Sequence, residues 1–349
     1  MKVGVLMDKM DQDHILEVQD LTVKFLMDEG TVHAVNGVSF VVPAGKSVGI
    51  VGESGCGKTV SSYSITQLLP KSARLTGRIL FRERDGQVTN ITNLTPDGKE
   101  MRRIRGKEIA MIFQEPMSSL SPVHTICNQL SEAMLQFQGM TKRQARTRAV
   151  ELLQLVGIPY AERRVDEYPF QLSGGMRQRV MIAMALSRNP RVLIADEPTT
   201  ALDVTLQAQV LRLIQDMQNE FNLSLVLITH DLGVVAHMVD HVCIMYMGQI
   251  VESGPVKEIY DDPKHPYTKG LMNSIPKLRG RRGERVVPIS GSVPSAYAVQ
   301  TGCPFCERCP ERSKRCTQGI PQRVKIGSEH HVCCHLYQSG KEEQDVINA

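Results

Sequence analysis

From Ile15 the chain alternates. Leu16, Val18, Leu21, Val23 and Phe25 are separated by polar residues, and a second alternating stretch runs from Val32 to Val42. A period of two predicts strands, and Asp28-Glu29-Gly30 predicts the turn between them, so this region reads as an antiparallel edge sheet. Four apolar runs without alternation follow, at Val48–Val51, Ile109–Phe113, Val192–Ala195 and Leu225–Ile228. Such runs are expected of strands buried on both faces of a parallel sheet. Helical spacing lies between them. A helix is expected over Thr59–Leu69, ended by Pro70 and Gly77. Ile126, Leu130 and Met134 share one face, as do Ala145, Ala149, Leu152, Leu153 and Val156. The latter helix opens on a capping box, Thr141-Lys-Arg-Gln144, and closes at Gly157 and Pro159. A further helix is expected over Val180–Arg188. Residues 78–100 read as a short hairpin and a polar loop, and Val242–Tyr246 with Gln249–Val251 as a closing hairpin. The expected fold is α/β, with a helical insertion over about 116–172.

Composition narrows the class. The chain has 349 residues, 42% of them hydrophobic, and a formal net charge of +4. That is enough apolar content for a sizeable core, and the charge neither requires nucleic acid nor excludes it. The sequence has no run of 18 apolar residues, as a membrane-spanning helix requires. Residues 1–13 carry acids without a continuous apolar core, so they read as a flexible leader and not as a signal peptide. Met7 and Met10 are alternative starts. A cytosolic location is expected. Nine cysteines are present, six of them between Cys303 and Cys334. In a reducing compartment such a cluster points to metal before disulfides.

The chemistry centres on Gly52-Glu53-Ser54-Gly55-Cys56-Gly57-Lys58-Thr59, directly after the first buried run. This is the P-loop pattern. Its glycines let successive N–H groups turn inward onto phosphate oxygens, and the following helix offers its positive end to the same anion. Lys58 is placed to reach the β- and γ-phosphates and the Thr59 hydroxyl to hold Mg²⁺. Phe25 is a candidate for stacking on adenine, with ordinary core packing as the alternative; His33 is a weaker candidate. Gln114, just past the second run, points to the Mg²⁺ or the attacking water. Ser173, Gly174 and Gly175 precede the helix expected at Val180 and offer a second anion site, with a simple N-cap as the alternative. Asp196 ends the third run and suits Mg²⁺; Glu197 beside it suits a general base. Asp203 follows on a turn. His230 ends the fourth run, where a neutral imidazole can sense a γ-phosphate.

Taken together, GESGCGKT, Gln114, LSGGMRQR, LIADEP, ALD and His230 resemble, in order and spacing, the ATP-binding subunits of ABC transporters. The resemblance covers residue 15 to about 255. It implies a RecA-like P-loop core with an antiparallel β subdomain and a helical subdomain, within an ATP-binding domain over 14–262. It also implies ATP sandwiched between two cassettes. Lys58, Thr59, Gln114, Asp196, Glu197 and His230 would serve the nucleotide in cis, and Ser173 and Gly175 in trans; Asp203 is carried among the nucleotide-binding positions. Met111–Pro122, Ala195–Val204, Thr229–Val235 and Asp262–Tyr267 resemble the dipeptide/oligopeptide/nickel branch. Val60 departs from it, where a small polar residue is usual. The branch implies two transmembrane permease subunits, a second and related ATPase subunit, an extracytoplasmic substrate-binding protein, and a peripheral place on the cytoplasmic membrane face. It implies import of di- or oligopeptides, and no nucleic acid. The alternative is a non-transport ABC ATPase acting on nucleic acid or the ribosome, against which stand the single cassette and the lack of heptads or a strong basic patch.

The expected C-terminal extension is 263–349. Arg- and Gly-rich residues 277–302 read as a solvated linker. Cys303, Cys306, Cys309, Cys316, Cys333 and Cys334 then form a thiolate-rich segment suited to a [4Fe–4S] cluster or to Zn²⁺, and spacing leaves the choice open. The branch's tails resemble this one at Gly-Cys-Pro-Phe, Cys-Pro, a following Cys and a final Cys-His. That resemblance implies [4Fe–4S] on Cys303, Cys309, Cys316 and Cys334, with Cys306 and Cys333 additional.

Overall fold

A computed structural model describes residues 10–114, 120–200, 202–274 and 288–338. The expected leader before residue 10, residues 115–119, Ala201 and the expected basic linker residues Lys277–Arg285 lie outside the described residues. In chain order the elements begin with β1 (His14–Met27), β2 (Gly30–Pro43), β3 (Ser47–Val51) and α1 (Lys58–Ile65). Next come β4 (Ala73–Arg82), β5 (Val88–Asn90), α2 (Lys99–Lys107), β6 (Ile109–Ile112), α3 (Ile126–Phe137) and α4 (Lys142–Leu155). Then α5 (Ala161–Arg164), α6 (Gly174–Leu186), β7 (Val192–Asp196), α7 (Val204–Phe221) and β8 (Ser224–Thr229) follow. The chain continues through α8 (Leu232–Met238), β9 (His241–Tyr246), β10 (Gln249–Pro255), α9 (Val256–Asp261) and α10 (Pro266–Asn273). It ends in α11 (Arg315–Gln318), β11 (Val324–Lys325) and β12 (His331–Val332).

These elements group into two units. The first contains Met1–Leu16, Val42–Ser47 and Leu80–Ile228. Its centre is the parallel ladder of β6, β7 and β8, in register at Ile109↔Val192, Ile112↔Ala195 and Ala195↔Leu227. All of β7 and β8 is buried, which is why these strands carry no polar alternation. The expected helical insertion is α3 to α5. Thr125 caps α3 by accepting from the Asn128 N–H, and Ile126, Leu130 and Met134 are buried. The capping box of Thr141 and Gln144 opens α4, whose buried face is Ala145, Ala149, Leu152 and Leu153.

Two helix boundaries differ from the sequence reading. Helix α6 starts at Gly174 and not at Val180, because Ser173 accepts from the Met176 N–H and caps a turn that already contains both glycines. Helix α1 stops at Ile65, short of Leu69. Gln67 enters the left-handed region (φ 53°) and the Leu68 N–H reaches back to the Tyr63 carbonyl, a C-terminal closure that ends the helix.

The second unit contains Glu17–Val41, Val48–Ile79 and Thr229–Ala349. Here β3 pairs in parallel with β9 from Val48↔His241 to Val51↔Ile244. Strand β10 returns antiparallel to β9 through Met247 and Gly248, both with positive φ. The ladder then continues into the C-terminal segment. Strand β12 pairs with β10 at Glu252↔Val332, and β11 with β12 at Val324↔Val332. The strand leading to the glycine loop and the cysteine-bearing segment thus belong to one sheet.

Candidate functional site

In the second unit, buried β3 delivers the chain to Gly52, where a Cβ would lie 2.1 Å from the Met245 carbonyl oxygen. Gly57 has φ 100°, and a Cβ there would meet the Ala34 carbonyl oxygen at 2.3 Å. Only glycine lets the loop curl at these two points. An added Cβ at Gly55 would meet nothing within 4 Å, so the outer turn of the loop faces open space. Lys58 folds back over the loop. Its Nζ donates to the carbonyls of Gly52 (2.8 Å) and Glu53 (3.0 Å), and the residue is 5% exposed. No side chain caps the start of α1. Burial pushes the Cys56 thiol up, so it stays neutral and adds no negative charge beneath the loop. These features suit an anion cradle, with the Lys58 ammonium held over the loop.

Phe25 is half-buried near the end of β1. His230 follows β8 and is exposed; Asp231 beside it caps α8 by accepting from Gly233 and Val234.

In the first unit, the carboxyl ends of the adjacent parallel strands β6 and β7 bring distant residues together, as open parallel sheets do. Asp196 is fully buried at the tip of β7. Glu197 turns into the left-handed region (φ 45°), with its N–H held by the Ile228 carbonyl at 2.8 Å. Its carboxylate accepts from the Thr200 hydroxyl at 2.9 Å and from Gln114 Nε2 at 3.4 Å. In the same unit, Ser173, Gly174, Gly175 and Asp203 line one cavity of about 490 Å³ with Pro159 and Arg179. Asp203 caps α7 through the Leu206 N–H (3.0 Å), and a Cβ on Gly175 would press on Leu206 at 3.2 Å. Gln178, which sequence reasoning passed over, donates to the Pro198 carbonyl at 2.5 Å. It ties α6 to the segment that follows Glu197. Its lone amide on an otherwise apolar helical face was the available signal.

In the C-terminal segment, Cys303 N–H donates to the Cys316 carbonyl at 2.8 Å and Cys306 N–H to the Cys303 carbonyl at 3.0 Å. Burial, and then the nearby thiols of Cys316, Cys334 and Cys309, push Cys303 up to about 12. Burial likewise pushes Cys309 up to about 12 and Cys334 up to about 11. Four of the six cysteines therefore share one desolvated neighbourhood. Cys306 has Cys316 close by, whereas Cys333 has Arg323. Among the described residues no group of three or more His, Cys, Asp or Glu side chains is arranged to hold a metal ion. That holds for the four cysteines expected to carry [4Fe–4S] as well as for the zinc alternative. Also among the described residues, no helix is long and apolar enough to cross a membrane.

The comparisons with known proteins agree with this geometry. Residues 35–200 match the ABC transporter family, and residues 251–316 match the oligopeptide/dipeptide transporter C-terminal region. The dipeptide transport ATP-binding protein DppD of Bacillus subtilis is 48% identical over 96% of this chain and 98% of its own length. The oligopeptide transport ATP-binding protein AppD of the same organism is 47% identical over 95% of this chain and 99% of its own. Among solved structures, the dimeric bacterial ABC transporter cassette MJ0796 aligns with a TM-score of 0.59 at 29% identity, covering 69% of this chain and 98% of that one. Its post-hydrolysis dimer with ADP and Pi aligns at 0.60 and 27%, with the same coverage.

Proposed function

Because the chain belongs to the ATP-binding proteins of oligopeptide/dipeptide ABC transporters, we propose that it binds and hydrolyses ATP to drive import of small peptides through two membrane permease subunits. The observation that carries the reading is the acidic pair after β7. Asp196 is wholly buried and Glu197 is held between Thr200 and Gln114, which is the placement a metal-binding carboxylate and an adjacent base require. The inward-folded Lys58 and the N–H groups of Gly55 to Thr59 hold the phosphates. Thr59, Gln114 and Asp196 would hold Mg²⁺ through their oxygens, and the ion would neutralise phosphate charge. Glu197 takes the proton of the attacking water, Gln114 orients that water, and His230 contacts the γ-phosphate. Phe25 stacks on the adenine. Ser173, Gly174, Gly175 and Asp203 serve the nucleotide of a second, related ATPase subunit, and an extracytoplasmic binding protein delivers the peptide. The complex places this chain on the cytoplasmic face of the membrane.

For the C-terminal segment the reading is a [4Fe–4S] cluster on Cys303, Cys309, Cys316 and Cys334. Their thiols are desolvated and feel one another. A four-iron cube spreads its sulfur ligands over separate corners, so it does not need the tight convergence a lone ion needs.

Reconstitution with the permease subunits in proteoliposomes tests the transport reading. Uptake of a labelled dipeptide should require ATP in the lumen that faces this chain and should stop in Glu197→Gln. Hydrolysis stimulated by RNA and indifferent to the permease would favour the nucleic-acid alternative.

A further inference from the structure

Glu53 is an unexpected side chain for a loop that gathers N–H groups around phosphate, because like charges repel. The structure supplies its counter-charge from the C-terminal segment. Arg308 donates from Nη1 to Glu53 Oε2 at 2.6 Å and from Nη2 to Oε1 at 3.0 Å, a bidentate pair. Arg308 stands between Cys306 and Cys309, and its side chain is only 5% exposed. It is fixed from several sides. Nε donates to the Ser290 carbonyl (3.0 Å) and Nη1 to the Tyr246 hydroxyl (3.3 Å). The guanidinium lies 5.7 Å from the Tyr246 ring centre and 5.9 Å from that of Phe305. The same loop residue is held twice more. Its N–H donates to the Tyr267 hydroxyl at 3.0 Å, and its carbonyl accepts from Lys58 at 3.0 Å. The backbone that orients Lys58 is therefore clamped by Arg308 and Tyr267, both beyond residue 262.

We propose that Arg308 is a positioning residue for the nucleotide. Its guanidinium neutralises Glu53 and fixes the loop in the shape that presents Lys58 and the inward N–H groups to triphosphate. The cysteine-bearing extension is then a working part of the phosphate site. This rests on the reading that the loop binds ATP.

The test is equilibrium MgATP binding by the full chain, beside steady-state KM and kcat. Arg308→Gln should raise Kd and KM about ten-fold or more while saturating kcat changes less, since the Glu53 carboxylate is left without its counter-charge in the phosphate-binding loop. Adding Glu53→Gln removes that charge and should recover most of the affinity. A purely structural Arg308 predicts the opposite, a double variant no better than the single one. Arg308→Lys keeps the charge but loses the fork and should raise Kd about three-fold; it also serves if Arg308→Gln does not fold. The surface variant Lys269→Gln, which breaks the 3.5 Å pair with Glu311, should leave Kd unmoved. If wild type binds MgATP and the Arg308 variants bind equally well, the inference fails alone. If the double variant stays as weak as Arg308→Gln, it fails as well. A wild-type chain that binds no MgATP removes both the inference and the ATP reading.

Discussion

Gln114 Nε2 lies 3.4 Å from a carboxylate oxygen of Glu197, although 83 positions separate them. The contact follows from sheet topology. Both residues sit just beyond the carboxyl ends of β6 and β7, which run side by side in parallel. At this length the bond is weak, so it sets an orientation and lets the amide swing to another partner. Gln114→Glu would replace a donor with a second carboxylate. Turnover should fall roughly 100-fold, within the range for a disturbed general base, while MgATP affinity changes about three-fold at most. Parallel ATPase and binding assays check this; unchanged turnover would remove Gln114 from the site.

Gly57→Ala should disable the loop. The backbone angle of 100° is one that L side chains avoid at about 1–2 kcal/mol, and the new Cβ would fall 2.3 Å from the Ala34 carbonyl oxygen. The expected outcome is loss of MgATP binding with a lowered melting temperature. Gly86→Ala, also at positive φ but with open space around its Cβ, should lower stability by a similar backbone term and leave binding intact.

His265 gives a pH signature. Burial, with Lys269 adding to it, pushes the imidazole down to about 3. Its Nδ1 accepts from the Tyr267 N–H at 3.0 Å, so the neutral ring is built into the fold. The unfolded imidazole titrates near 6.5. Between those values the unfolded chain binds a proton that the folded chain refuses. The contribution to stability is therefore complete above about pH 6.5 and is lost as pH falls toward 3, by up to about 1.4 kcal/mol per pH unit. Urea unfolding at about pH 7.5 and about pH 5 should show a steeper loss in wild type than in His265→Asn. Equal slopes would contradict it.

The thiols of Cys303, Cys309 and Cys334, raised by burial, should be neutral and slow to alkylate at neutral pH once metal is removed. Anaerobically purified protein should contain iron and acid-labile sulfide and absorb in the visible. Cys303→Ser should lose that absorption, and Cys333→Ser should keep it. Iron-free protein from anaerobic preparation would remove the cluster.

Much of this was legible in the sequence. Apolar runs without alternation gave the buried strands, and the spacing of Thr141 and Gln144 gave a capped helix that the structure contains. The sequence reading starts α6 at Val180 and leaves the glycines before it, whereas Ser173 makes them a first turn. Arg308 and its grip on Glu53 were not legible, since a pair 255 positions apart leaves no periodicity. The only hint was chemical: a carboxylate in an anion-binding loop needs a cation from somewhere. The sharing of one sheet by β3 and β12 was hidden for a similar reason, because two-residue strands such as β12 carry no pattern of their own.

The central claim is that this chain hydrolyses ATP with Glu197 as the base. The most direct measurement is MgATP binding and steady-state hydrolysis for wild type and Glu197→Gln side by side. The account predicts that the variant binds MgATP within about three-fold of wild type and turns over at least roughly 100-fold more slowly. Hydrolysis by Glu197→Gln at the wild-type rate would contradict it.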